Sequence, residues 1–119
     1  MGFDFNNNTP IYMQIAEIIE VRIISGEYVA GERLPSVRDL AFSLKANPNT
    51  IQRALGDLED KKLIYTERTN GKFVTNDLSL ILNRKAQYAK NLATEYLESI
   101  AKVGLNKKDA VLLIENIKR

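Results

Sequence analysis

Apolar residues recur at helical spacing at Ile11, Ile15, Ile18, Ile19 and Ile23, which predicts a first helix. Thr9 and Pro10 stand at its start, a side chain able to cap a free N–H and a proline suited to the first helical position. Glu17, Glu20 and Arg22 fall on the side assigned to water, and Gly26 is a stop signal. Residues 27–35 (EYVAGERLP) read as a connector, because Gly31 permits a turn and Pro35 biases Leu34 away from helix. Ser36 opens a second, short helix whose buried stripe is Val37, Leu40, Ala41 and Leu44. Ser36 with Asp39 resembles a capping box in which Asp replaces Glu. Lys45 and Ala46 make a tight connection, and Asn47-Pro48 repeat the cap-and-proline start. The third helix carries Ile51, Ala54, Leu55 and Leu58 on its core face, with Asn49, Gln52, Arg53 and Gly56 opposite.

A run from Leu58 to Leu63 ends that helix, and a short β-hairpin follows. Ile64 to Glu67 and Lys72 to Thr75 have strand composition, and Asn70-Gly71 between them is a strong turn signal because both residues tolerate positive φ. Beyond the hairpin the period is helical again. Leu78, Ile81, Leu82, Tyr88, Ala89, Leu92, Tyr96, Ile100 and Val103 fall on one broad stripe. Gly104 breaks it. Asn106 then caps a last helix whose apolar residues are Ala110, Val111, Leu112, Leu113, Ile114 and Ile117. The expected fold class is therefore mainly α. A winged helix-turn-helix over residues 1–76, three helices and a hairpin wing, precedes a two-helix segment over residues 77–119.

Composition narrows the chemistry. The 119 residues contain no cysteine and no histidine. This removes disulfides, the usual zinc sites and Cys-His or Ser-His-Asp catalysis. No nucleophile–base pair, phosphate loop or metal cluster supports an enzyme, and no cofactor or metal is expected. No apolar run reaches the length of a membrane span. Residues 1–10 are polar and lack a signal-peptide pattern, so the protein is expected in the cytoplasm. Net charge is only +2, and residues 1–76 hold nine basic against ten acidic side chains. A nucleic-acid surface would have to come from local clustering.

The order helix, helix, tight turn, helix, hairpin is that of a DNA-reading module. A helix fits the major groove, and polar side chains near its start reach base edges. Asn49, Gln52 and Arg53 suit this task, since Asn and Gln pair with adenine and Arg with guanine. Gly56 leaves room for a close approach. Taken alone, such residues are an ordinary solvated face. The ordered combination with basic Arg33, Arg38, Lys45, Arg53, Arg68 and Lys72 favours DNA.

Gly31 to Ala41 (GERLPSVRDLA), Asn47 to Leu55 (NPNTIQRAL) and Gly71 to Val74 (GKFV) resemble the GntR family of transcription regulators, over about residues 8–76. The NPNTIQR variant and the short helical tail are similar to the YtrA-like subfamily. The resemblance implies that Arg38 contacts DNA from the second helix and that Ser36 touches phosphate. It places Asn47, Asn49, Thr50, Gln52 and Arg53 at the start of the recognition helix, and Gly71 and Lys72 at a wing tip in the minor groove. Pro48 stands where many family members carry a basic residue, so that contact is absent. Leu55 replaces an aromatic residue common in the subfamily.

The tail of residues 77–119 is too short to enclose a sizeable small-molecule pocket. Its apolar faces point to a homodimer with Tyr88, Leu92, Tyr96, Ile100, Val111 and Ile114 at the interface, and Leu112 and Ile117 alongside. A two-fold dimer reads a palindrome with two recognition helices. The expected function is a sequence-specific repressor on a double-stranded operator, open to a small-molecule effector. A winged-helix module for protein–protein contact is the competing reading.

Overall fold

The computed structural model describes residue 5 and residues 8–119. Most of the polar start, on which the missing signal pattern was read, lies outside the described residues. The elements run α1 (Ile11–Ile24), α2 (Val37–Leu44), α3 (Pro48–Asp60), β1 (Ile64–Glu67), β2 (Gly71–Val74), α4 (Leu78–Ala101) and α5 (Lys107–Asn116). This is a mainly helical winged helix-turn-helix followed by two helices, as the hydrophobic spacing predicts. Contacts divide the chain into two compact units, Met1–Asn83 and Arg84–Arg119. Among the described residues, no helix is long and apolar enough to cross a membrane.

The core of the first unit is built from the predicted stripes. Ile15, Ile19 and Ile23 of α1 meet Leu40 and Leu44 of α2 and Ile51, Leu55 and Leu58 of α3, all essentially without solvent contact. Leu63, Ile64 and Val74 close the core from the hairpin side, and Leu80 and Ile81 from the start of α4 pack against it. Burying a side chain of this size stabilises by about 1.5–3 kcal/mol, so these stripes hold α3 in place.

The helix ends follow capping chemistry, with one departure. Ser36 Oγ accepts from the Asp39 N–H at 3.0 Å, and Asn47 Oδ1 accepts from the Asn49 N–H at 2.8 Å. Asn106 and Asp109 form a full capping box at the start of α5. At α1, however, Pro10 rather than Thr9 is the N-cap, and no side chain caps it. The Gln14 side chain instead donates to the Thr9 carbonyl at 2.7 Å. Glu20 also departs from expectation. It is buried, and its carboxylate lies 3.7 Å from Lys61 Nζ, which also pairs with Asp57 at 3.2 Å. The pairing draws it to α3, because a buried charge needs a partner.

Two lysines take positions usual for glycine. Lys45 (φ 54°) and Lys62 (φ 66°) are left-handed. After α2, the Ala46 N–H donates to the Ala41 carbonyl and that of Lys45 to Phe42; after α3, Leu63 donates to Leu58 and Lys62 to Glu59. Both are Schellman closures. The first makes the tight turn between α2 and α3, and the second turns the chain into β1.

The hairpin is antiparallel, with Ile64 opposite Val74 and Glu67 opposite Gly71. The reversal spans residues 68–70, and Gly71 alone of the Asn70-Gly71 pair has positive φ, at 100°. Strand β2 therefore begins at Gly71, one residue before the expected start. The connector supplies a third ribbon. Gly31 donates to the Val74 carbonyl, Val74 to Glu32 and Leu34 to Lys72. This pairing ties the wing to the segment that leads into α2.

Candidate nucleic-acid interface

The buried stripe of α3 turns Asn49, Gln52 and Arg53 outward, all three exposed, while Thr50 is half-buried. Gly56 lies on that outward arc, and a Cβ built on it meets nothing within 4 Å. Asn47 spends its carbonyl oxygen on the helix cap and keeps its amide donors. Ser36 likewise accepts from backbone and keeps its hydroxyl proton, a donor that suits a phosphate oxygen. Arg38 is exposed one residue into α2.

Arg53 is not a loose side chain. Its guanidinium lies over the ring of Tyr12, 3.9 Å from the centroid. Stacking on an aromatic face fixes the plane of the guanidinium and leaves its edge donors free. Tyr12 was not among the residues singled out from the sequence. Its signal was an aromatic at a flank of α1, visible only once α1 is known to pack beside α3.

At the wing, Arg33 lies across the turn. A Cβ on Gly71 would sit 3.2 Å from Arg33 Nε and 3.4 Å from Nη2, and Arg33 bridges to Phe73. Arg68 is exposed at the reversal. The hairpin is stiffened by Tyr65 stacked on Phe73, with ring centroids 5.6 Å apart. Lys72 points elsewhere. Its Nζ donates to Glu59 of α3 and, at 2.8 Å, to Thr66 Oγ1. Glu59 is held below the usual carboxylate range by the hydrogen bonds from Lys72 and Thr66, with the Lys72 charge adding to them against partial burial.

Part of the acidic charge of this half is engaged in ion pairs. Glu27 pairs with Arg22, Glu20 and Asp57 with Lys61, and Glu59 with Lys72. Among the described residues, no carboxylate pairs with Arg33, Arg38, Lys45, Arg53 or Arg68. The carboxylates that cancel the formal charge are thus partly spent on cations outside this set. Five candidate DNA-facing cations keep their charge for a phosphate or a base.

In the second unit, no residue of α4 is buried, and Ala110 is the only buried residue of α5. Leu92 is 53% exposed, and Val111, Leu112 and Ile114 are 45%, 52% and 55% exposed. Tyr88, Tyr96 and Ile100 are half-buried, and Ile117 is exposed. A contiguous helical pair with this much open apolar surface is unusual for a lone chain.

Comparison with known proteins places the chain. The profile for "Bacterial regulatory proteins, gntR family" matches residues 11–74. The regulator YhcF of Bacillus subtilis is 32% identical over 99% of this chain and 95% of its own length. The repressor YtrA of the same organism is 37% identical over 66% of this chain and 61% of its own. A GntR-family regulator from Listeria monocytogenes superposes with a TM-score of 0.87 at 38% identity, covering 96% of this chain and all of that one. AraR(DBD) in complex with operator ORR3 gives a TM-score of 0.55 at 29% identity, over 63% of this chain and 88% of that one. The match runs from the first turn of α1 to the last residue of β2, and it is to regulators rather than enzymes: this chain belongs to the GntR family of bacterial regulatory proteins.

Proposed function

We propose that the protein is a YtrA-like transcriptional repressor that binds a palindromic operator as a homodimer in the cytoplasm. The observation that carries this reading is that Arg33, Arg38, Lys45, Arg53 and Arg68 are all exposed and, among the described residues, pair with no carboxylate. They fall on the three elements a winged helix uses against a duplex. Asn49, Gln52 and the Tyr12-braced Arg53 read base edges in the major groove. Asn47, Ser36 and Arg38 hold phosphates, with Thr50 at the helix start. Arg33, which lies beside Gly71, and the exposed Arg68 approach the minor groove. AraR(DBD), a structure of similar fold in complex with operator ORR3, and the repressor YtrA support the reading.

The apolar faces of α4 and α5 are the dimer surface in this reading, with Tyr88, Leu92, Tyr96, Ile100, Val111 and Ile114 at the seam. A two-fold pair presents two reading helices, and repression follows from occupying DNA that a promoter needs. A small-molecule effector would act by changing the angle between the two heads, which shifts the population competent to span both half-sites.

Salt dependence tests the DNA reading. Affinity for the duplex enriched from a random pool falls linearly with salt on logarithmic axes, by about 0.9 per phosphate neutralised. A flat dependence would leave the winged helix as a protein–protein module instead. Leu92→Asp tests the dimer: sedimentation should show half the mass of the wild type, and an unchanged mass would remove Leu92 from the interface.

A further inference from the structure

The wing carries a closed polar triangle that the reading face does not use. Thr66 Oγ1 donates to Glu59 Oε1 at 2.7 Å, Lys72 Nζ donates to Thr66 Oγ1 at 2.8 Å, and Lys72 also pairs with Glu59. One residue comes from each of α3, β1 and β2. Thr66 and Lys72 are partners in the strand register, so the hairpin presents both to α3 together. Glu59 is in the last turn of α3, immediately before the Lys61–Lys62 closure that sends the chain into β1. Lys72 and Glu59 are 28% and 34% exposed, partly shielded rather than projecting. A lysine that reached for phosphate would have to leave both partners and strand the Glu59 carboxylate.

We propose that Lys72 is a positioning residue, which with Glu59 and Thr66 fixes the wing to the end of the recognition helix, rather than a ligand of DNA phosphate. The consequence is geometric. Groove contacts from α3 and from the wing are made together only when the angle between them is set. Ordering that angle in the free protein removes an entropic cost from binding. The wing's phosphate cations are then Arg33 and Arg68. This inference rests on the DNA-binding reading above. It departs from the part that the sequence resemblance implies for Lys72.

The two roles predict opposite signs. Glu59→Gln removes a negative charge near DNA, so electrostatics alone would tighten binding, whereas loss of the triangle loosens it. Each variant is titrated against the duplex population that the full-length protein enriches from a random pool, across a range of salt. The expected result is that Glu59→Gln and Lys72→Met each bind about three- to fivefold more weakly, the scale of a partly exposed ion pair. The salt slope stays that of the wild type. The swap Glu59→Lys with Lys72→Glu recovers most of the affinity, although it puts a carboxylate on the wing. The inference is overturned if Glu59→Gln binds as tightly as the wild type or tighter, if Lys72→Met lowers the salt slope by about one phosphate contact, or if the swap binds worse than either single variant while melting normally. Failure of the wild type to enrich any duplex would instead defeat the DNA reading itself.

Discussion

Gly56→Ala should stabilise the free protein and weaken its grip on DNA. Gly56 lies inside α3, away from both ends. A glycine in a helix interior costs about 1 kcal/mol relative to alanine, because it fixes the most flexible backbone. A Cβ at this position meets no heavy atom within 4 Å, so nothing in the free protein opposes that gain. For a compact unit of this size that melts in one step, 1 kcal/mol corresponds to a rise of roughly 4–8 °C in Tm. On DNA the same methyl enters the space beside Asn49, Gln52 and Arg53. If that face lies against the groove, overfilling a close contact costs about 1–3 kcal/mol, or about fivefold to 150-fold in Kd. Thermal melting followed by circular dichroism and fluorescence anisotropy on the enriched duplex read the two effects separately. A higher Tm with unchanged affinity would show that DNA does not approach α3 at residue 56. A lower Tm would show that the open space above Gly56 is not what it is taken to be.

Arg53→Ala should cost about 1–3 kcal/mol of operator binding and relax selectivity at one base pair. Tyr12→Phe, which keeps the ring under the guanidinium, should leave that selectivity intact, and a loss equal to that of Arg53→Ala would assign the role to the phenol hydroxyl. Lys62→Gly should raise stability by about 1 kcal/mol, since the left-handed φ of 66° that closes α3 strains a lysine and not a glycine; a fall in denaturant midpoint would contradict this. Glu59 has a depressed pKa, so its pairing with Lys72 contributes stability above the ordinary glutamate range and loses it as pH falls through the folded value. The difference in melting between wild type and Lys72→Met should therefore be present at neutral pH and shrink below about pH 4.5; a difference that grows on acidification would reverse the assignment.

The order of elements and the core were legible because each stripe has one period and one face. Ile51, Ala54, Leu55 and Leu58 can be buried together only on one side of a helix, and this alone turns Asn49, Gln52 and Arg53 outward. What the pattern could not carry was set by contacts distant in sequence. Glu20 looks like a solvated residue until α3 brings Lys61 beside it. Tyr12 looks like ordinary packing until Arg53 is found over its ring. Lys72 and Glu59 are thirteen residues apart and read as a wing cation and a helix-end charge, and only the hairpin register joins them. The tight turns were harder to type, because Lys45 and Lys62 hold positions where glycine would have signalled them. The apolar tail could be recognised as uncovered but not assigned a cover, since no residue of α4 and only Ala110 of α5 is buried.

The central claim is that two copies of this winged helix read a duplex through the outward face of α3. Selection of bound duplexes from a random pool by the full-length protein, followed by sequencing, tests it most directly. The account predicts enrichment of two inverted half-sites related by a dyad, their centres separated by about one or more helical turns of 10–10.5 base pairs. Recovery of a single unrepeated site would contradict the two-fold dimer, and no enrichment over the starting pool would contradict sequence reading by Asn49, Gln52 and Arg53.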